Sequence, residues 1–415
     1  VYDRRADAVV AMSDEVEVMT GEWQRKALSS IDYVVTSPGF PEHVGPIPDI
    51  VVAGIPLVSE MEYELAQMPS RYAAVTGTNG KTTVTSVAAD MLVNSGVDAI
   101  AAGNIGTALS DIALDPPPVV VVEASSFQLR FIADFHPEAA ALLNIAPDHL
   151  DWHQDLDEYV AAKQRIFENQ TGNDILVFDA DDAGASAAVR GATAQLIPVS
   201  GSQPPEGGYG PVGDTLVLRS GTVARPDMDR AYTMDLVAAA TIAEQLGATL
   251  SGIESTIASF VPGEHRRSVV GRWDGIAWVN DSKATNPHAA LASVEAFPSV
   301  VLIAGGRNKG LDLAPIVAAP NVRLVIGLGE AAVELEQATD SNRYRAAPDL
   351  AAAVEIADAE SRSGDTVLLA PGCASFDMFD SYAQRGREFA RLVHERKVVT
   401  DLSLIHISEP TRQDT

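Results

Sequence analysis

Along most of the chain, short apolar runs alternate with longer Ala-rich amphipathic stretches, the pattern of an α/β protein whose parallel strands are joined by helices. Residues 31–35 and 55–58 read as strands, the first closing on Ser37-Pro38-Gly39 and the second leading into a helical stretch at 59–67. Pro69-Ser70 marks a boundary. A second series follows: a strand at 72–75, a Gly-rich turn, a helix ending near residue 93, and strands at 97–101, 119–122 and 139–145. The run 119–122 is apolar without alternation, as a strand buried on both faces requires. A helix is predicted from about 155 to 169, and the Pro/Gly-rich stretch 203–213 reads as a loop between strands. Helical stretches at 234–246 and 253–260 lead to the break Val261-Pro262-Gly263, expected to act as a hinge. Beyond it, strands at 268–271 and 276–280 flank Asp274-Gly275, a hairpin signal. Strands at 300–304, 322–326 and 366–369 then alternate with helices. The pattern gives three α/β segments, at 1–69, 70–262 and 263–400.

Both ends need separate treatment. The opening Val1-Tyr2-Asp3-Arg4-Arg5 reads as the end of a strand already under way, closed by an acidic residue as in a nucleotide-binding βαβ unit, so the first segment is expected to be truncated. Residues 401–415 break the Ala-rich character and read as a non-native tail.

Charge and cysteine content narrow the function. Lys and Arg number 29 against 57 Asp and Glu, a net charge of −28, the wrong sign for a general nucleic-acid or anionic-membrane binder. No apolar run reaches the roughly 18 residues a membrane span needs. A single cysteine, Cys373, allows neither an internal disulfide nor a zinc cluster and suits a reducing, cytoplasmic setting. We therefore expect an intracellular, cytoplasmic protein with neither nucleic acid nor membrane as partner. The chain is also expected to be a monomer.

The strongest chemical signal is Ala74-Val75-Thr76-Gly77-Thr78-Asn79-Gly80-Lys81-Thr82-Thr83, a strand feeding a Gly-rich loop that opens a helix. Loop amides and the helix start can cradle phosphates, with Lys81 on the terminal phosphates and Thr82 on Mg²⁺. The full G-x-x-x-x-G-K-[ST] spacing is not met, because Val75 stands where its first Gly belongs. The shorter string arises by chance in about one or two chains per hundred of this length, and its placement between strand and helix makes chance rarer still. Glu123 closes the strand 119–122, where an α/β sheet places its ligand groups and where a hard carboxylate suits Mg²⁺. The loop Asp148-His149-Leu150-Asp151-Trp152-His153 offers His149 as a second-metal or phosphate partner. Lys163, by its surroundings alone, reads as a solvated helix lysine. Three polar loops follow three strands of the last segment: Asp281-Ser282-Lys283-Ala284-Thr285-Asn286, Gly305-Gly306-Arg307-Asn308-Lys309-Gly310 and Pro371-Gly372-Cys373-Ala374-Ser375-Phe376. Loops at the carboxyl ends of neighbouring strands point to one shared site. Cys373 is expected to be a packed small residue, since its loop holds no His or Asp to activate it.

In order and approximate spacing, the strings at 76–83, 123–129, 148–153, 281–286 and 373–379 resemble those of the Mur ligases, over nearly the whole chain. Ser-Ser-Phe-Gln-Leu, Asp-Ser-Lys-Ala-Thr-Asn and Cys-Ala-Ser-Phe-Asp are similar to the branch that adds D-glutamate. The resemblance implies a truncated Rossmann-like N-terminal domain, a central P-loop ATPase-like domain and a Rossmann-like C-terminal domain. It implies ATP-dependent ligation of D-glutamate to UDP-N-acetylmuramoyl-L-alanine through an acyl phosphate, a step of peptidoglycan precursor synthesis. Gly77, Thr78, Asn79, Gly80, Lys81, Thr82 and Thr83, with Arg266 (beside His265) and Asp281, would then bind ATP. Lys81, Glu123, His149 and Lys163 would be catalytic. Thr82, Glu123, His149 and Lys163, the last carbamylated by CO₂, would hold Mg²⁺, two ions in all. Ser37, Asn104 and His149 would contact the UDP substrate, and Lys283, Thr285, Lys309, Ser375 and Phe376 would receive D-glutamate. Two departures stand out. Tyr232 and Asp235 replace the family's usual Asn pair and are left outside the expected site, and Arg307-Asn308 differs from the acid-containing form of its loop. A folylpolyglutamate synthase shares the phosphate loop but not the 281–286 and 373–379 strings, and a nucleotide-driven switch would leave the three-loop cluster unexplained.

Overall fold

A computed structural model describes residues 1–4, 17–150 and 152–407, with the side chains of the last helix given through residue 397. Arg5, Asp151 and residues 408–415, which the sequence reading touched, lie outside the described residues. Contacts divide the chain into two compact units. The first comprises Val1–Ile145, Trp152–Pro226 and Thr233–Ala258, and the second Ala146–Asp151, Asp227–Tyr232 and Ser259–Thr415. The first two segments expected from sequence thus share one unit.

The first unit opens with short strands β1 (Tyr2–Asp3), β2 (Met19–Thr20), β3 (Val34–Thr36) and β4 (Leu57–Ser59), paired in parallel as β1–β2 and β3–β4, and helices α1 (Ile47–Ala53) and α2 (Glu60–Leu65). Its main sheet holds β5 (Arg71–Thr76), β6 (Ala99–Gly103), β7 (Val119–Glu123), β8 (Ala139–Leu142), β9 (Ile175–Asp179) and β10 (Gln195–Val199). All six are parallel, in the order β10-β9-β8-β5-β7-β6. Interleaved are α3 (Lys81–Asn94), α4 (Leu109–Ile112), α5 (Ser126–Leu129), α6 (Leu156–Gln164) and α7 (Ala183–Ala188). Four successive valines make β7, and every residue of the strand is buried, so β-branched side chains meet apolar partners on both faces. The register sets Val75 of β5 and Gly103 of β6 beside Glu123, which brings the carboxyl ends of three strands to one level. After β10 comes a small antiparallel sheet of β11 (Gly210–Val212), β12 (Thr215–Leu218) and β13 (Gly221–Ala224), so the stretch read as a loop ends in a strand. Helices α8 (Arg230–Leu246) and α9 (Leu250–Ser259) lie in this unit except for their outermost residues.

In the second unit, β14 (Ser268–Trp273), β15 (Ile276–Asn280), β16 (Val300–Gly305), β17 (Val322–Leu328), β18 (Tyr344–Ala346) and β19 (Thr366–Leu369) form a sheet in the order β14-β15-β19-β16-β17-β18. Only β14 runs antiparallel, and the predicted hairpin is present, with Asp274 at φ 53° and Gly275 at φ 77°. Helices α10 (Pro287–Glu295), α11 (Ala314–Ala318), α12 (Ala332–Ala338), α13 (Leu350–Glu360) and α14 (Tyr382–Ile407) accompany it. Side-chain alternation along β16 fills two cores at once. Val300, Leu302 and Ala304 join Ala290, Val294 and Ile316, while Val301 and Ile303 join Leu350, Val354 and Phe389. Helix α14 runs seven residues into the stretch set apart as a tail. No helix among the described residues is long and apolar enough to cross a membrane.

Candidate active site

In the first unit, β5 feeds the loop at Gly77–Gly80, and two glycines there answer to specific demands. Gly77 has φ 156°, and a Cβ on it would meet the Leu143 Cβ at 3.0 Å. Gly80 is the left-handed residue before α3, at φ 85°, and its Cβ would stand 2.7 Å from Asp235 Oδ1. Asp235, left outside the expected site, therefore lies against the phosphate loop. One residue, Asn144, holds the loop's backbone with both side chain and main chain: Asn144 Oδ1 accepts from the Asn79 amide (2.8 Å), Asn144 Nδ2 donates to the Asn79 carbonyl (3.1 Å), and the Thr78 amide donates to the Asn144 carbonyl (3.0 Å). Thr82 and Thr83 sit in the first turn of α3, Thr83 buried.

Two ammonium groups converge on this loop. Lys81 Nζ donates to the carbonyls of Gly77 (2.9 Å) and Thr78 (3.0 Å), and Lys163 Nζ donates to the same Gly77 carbonyl (2.9 Å) and approaches Thr76 Oγ1 at 3.4 Å. Lys163 is 1% exposed and lies 4.6 Å from the Tyr159 ring centroid, while the Tyr159 hydroxyl is 3.1 Å from Thr78 Oγ1. The solvated-helix reading of Lys163 is thereby overturned, because helix α6 turns this residue toward the sheet. Two cations on one carbonyl repel each other, and a polyanion relieves that repulsion.

Glu123 closes β7 and is 3% exposed. Its Oε1 accepts from Asn104 Nδ2 at 3.0 Å, whereas its Oε2 is buried with no hydrogen-bond partner among the described residues. An ionised oxygen so placed calls for a cation, and a hard divalent ion suits it. Asn104, expected on the substrate diphosphate, spends its amide on Glu123, and Ser37 stands exposed in the turn after β3. No cluster of three or more His, Cys, Asp or Glu side chains arranged for a metal occurs among the described residues.

The second unit gathers the other predicted residues at the carboxyl ends of the adjacent strands β15, β19 and β16. Backbone bonds join their loops: Gly372 N to Ala284 O (2.9 Å), and Arg307 with Ala374 in both directions (2.9 and 3.0 Å). Lys283 Nζ lies 5.3 Å from the Tyr382 ring centroid, Thr285 is half-buried, Ser375 is buried and Phe376 is exposed. Asp148, noted in its loop but not assigned a role from sequence, is the hub. Its Oδ1 accepts from Lys309 Nζ and from the His149 amide, each at 2.8 Å, and its Oδ2 accepts from Asn286 Nδ2 at 3.0 Å. Burial alone would raise this carboxyl, but His149, Lys309 and the hydrogen bonds outweigh it and hold Asp148 below the usual carboxylate range. His149 itself takes φ 56°, a strained value for a non-glycine residue, and its Nε2 is 3.8 Å from Asp148 Oδ2. The segment carrying both groups with the second unit, so His149 belongs to a different unit from Glu123 and Lys163.

Asp281 accepts from the Arg267 amide (3.1 Å), and burial pushes its carboxyl up against the pull of Arg267. Arg266 gives its carbonyl to the Tyr232 hydroxyl (2.9 Å), and the Arg267 guanidinium covers the Tyr232 ring at 4.3 Å while pairing with Asp229 at 2.7 Å. Cys373 is 1% exposed in the β16 core, its thiol pushed up to about 12 by burial, as a packing residue would be.

Comparison with known proteins adds to this geometry. The family model described as the Mur ligase middle domain matches residues 75–203, and that described as the Mur ligase glutamate ligase domain matches 265–373. The chain is 39% identical over 378 residues to the UDP-N-acetylmuramoylalanine–D-glutamate ligase of Desulfitobacterium hafniense strain Y51, covering 87% of this chain and 83% of that protein. It is 38% identical to the like-named ligase of Mycobacterium tuberculosis, covering 94% of this chain and 88% of that one. In fold it is similar to a MurF ligase from Thermotoga maritima solved in complex with ADP, with TM-score 0.61, 16% identity, and 90% and 97% of the two chains covered.

Proposed function

The chain belongs to the Mur ligase family of ATP-dependent ligases, and from that membership we propose that it joins D-glutamate to UDP-N-acetylmuramoyl-L-alanine in peptidoglycan precursor synthesis. The observation that carries the ATP half of this reading is the convergence of Lys81 and Lys163 on the Gly77 carbonyl at a strand–loop–helix junction.

The substrate's L-alanine carboxylate attacks the γ-phosphorus of ATP. A carboxylate-oxygen-to-phosphorus bond forms, the bond to the β-phosphate oxygen breaks, and ADP leaves an acyl phosphate. Lys81 and the loop amides hold the transferring group and offset its charge. The amine of D-glutamate then attacks the acyl carbon, and the tetrahedral intermediate collapses to an amide as phosphate departs and the amine loses a proton. Lys283, Thr285, Lys309, Ser375 and Phe376 would receive the amino acid, the two ammonium groups matching its two carboxylates. Arg266 and Asp281 would serve the nucleotide, and Ser37, Asn104 and His149 the UDP substrate.

Thr82 and the unpartnered oxygen of Glu123 fit a Mg²⁺ ion, which when bound would neutralise phosphate charge. His149 is the residue assigned to a second ion, and a CO₂-derived carbamate on Lys163 would supply a further metal ligand. Burial of Lys163 beside the loop supports that assignment, since a carbamate there replaces a cation by a hard anionic ligand. Lys163→Ala should lose most activity and regain part with added acetate. Full activity of this variant in bicarbonate-free buffer would sink the carbamate.

Phosphate release that requires UDP-N-acetylmuramoyl-L-alanine and D-glutamate together tests the whole reading. Release with nucleotide alone would mark a switch, and release with a folate acceptor a folylpolyglutamate synthase.

A further inference from the structure

The buried guanidinium of Arg385, in the first turn of α14, has no role in the reaction as described above. It is 2% exposed, and no carboxylate among the described residues lies within ion-pair distance of it. Its partners are instead the loops of the second unit. Nε donates to Ser282 Oγ (3.0 Å), Nη2 to the Ser282 carbonyl (2.9 Å), and Nη1 and Nη2 to the Cys373 carbonyl (3.3 and 3.2 Å). The third loop bends around it: Gly306, at φ 126°, is placed so that a Cβ would come within 3.2 Å of Arg385 Nη1. Ser282 precedes Lys283 and Thr285, Gly306 precedes Lys309, and Cys373 precedes Ser375 and Phe376. One planar fork therefore reaches every loop that carries an amino-acid-binding candidate.

Burial works against this cation, bringing its pKa down to about 10. An apolar side chain of similar volume would fill the space without that desolvation, so stability alone gives little reason for an arginine here. A fixed fork of five donors does explain it, because it sets the spacing of two backbone carbonyls in the loops that follow different strands. Its positive charge also adds to Lys283 and Lys309 in a chain of net charge −28, on the side that would face a dicarboxylate.

We propose that Arg385 is a positioning residue for the amino-acid substrate, fixing the three strand-end loops at the spacing that D-glutamate requires. This inference rests on the D-glutamate ligase reading above.

The test is steady-state kinetics on the full chain and its Arg385→Lys variant, varying each substrate in turn. Arg385→Lys should raise the KM for D-glutamate by about tenfold while the KM for ATP stays within about twofold. Ser282→Ala, which removes the Nε acceptor together with the Ser282 Oγ bond to the Tyr382 carbonyl (2.7 Å), should raise the D-glutamate KM by about threefold and add less than its full effect in the double variant. An unchanged D-glutamate KM in soluble Arg385→Lys, or an equal rise for all three substrates, overturns the proposal. Should Arg385→Lys fail to fold, an unchanged D-glutamate KM in Ser282→Ala overturns it instead. An unmodified chain that never turns over D-glutamate overturns the ligase reading itself, a result separate from either.

Discussion

The phosphate loop and the amino-acid loops solve the same problem, a polar segment at a strand end, by opposite means. The first is one continuous stretch whose shape comes from its own glycines and from side chains of its own unit, Asn144, Lys163 and Tyr159. The second consists of three stretches separated by up to about a hundred residues and joined by side chains from elsewhere, Asp148 and Arg385. A binding loop for a group common to all nucleotides can be local and portable. The proposed amino-acid pocket is assembled from afar, and the side chains that join its loops, Asp148 and Arg385, are not among those assigned to the ligand.

The sharpest break in this comparison is chemical. Lys81→Ala in the local loop should lower kcat by about a thousandfold or more, since it removes charge stabilisation from the transferring phosphoryl group. Its melting temperature should stay within about 3 °C of the parent, because the Lys81 hydrogen bonds to the Gly77 and Thr78 carbonyls are local, four and three residues away. Next comes backbone strain. Gly80→Ala forces a Cβ at φ 85° onto Asp235 Oδ1 and should cost about 1–3 kcal/mol in denaturant unfolding. Adding Asp235→Ala should return the clash part and leave the strain part, separating the two causes.

An effect of similar size, set apart by its pH dependence, belongs to the assembled loops. Asp148→Asn keeps the shape but weakens the grip on Lys309 and should destabilise by about 1–3 kcal/mol near neutral pH. The folded carboxyl lies below its unfolded value of about 3.9, so its contribution is present above that pH and is lost as pH falls through the folded pKa. The stability gap between parent and variant should therefore be constant from pH 7 to about 5 and close below about 4. A gap that widened on acidification would assign Asp148 the wrong sign.

The same contrast explains what could be read from the sequence. The strand–loop–helix at 71–94, the buried run ending in Glu123 and the Asp274-Gly275 hairpin each carry their instructions within about two dozen consecutive residues. The order of the three polar loops was legible too, because each follows an apolar run. By its surroundings alone Lys163 was misread because α6 has too weak an apolar stripe to tell its inward face from its outward one. Arg385 sits more than a hundred residues from Ser282 in the chain, and nothing in an Arg within a charged helix announces a buried fork. Strands β11 to β13 are short and Pro/Gly-interrupted, and only pairing with each other makes them strands.

The doubly capped carbonyl of Gly77 has a consequence for selectivity. A backbone oxygen in a phosphate-binding loop would ordinarily push phosphates away, but here the Nζ groups of Lys81 and Lys163 have already claimed it, and Lys163 keeps an N–H to donate even as a carbamate. The loop presents donors and withholds this acceptor, so it sorts visitors by valence before it sorts them by shape. A bare nucleoside gains nothing from it, and each added phosphate gains more, which ranks adenosine, AMP, ADP and ATP by charge at the entrance and leaves recognition of the base to the rest of the molecule.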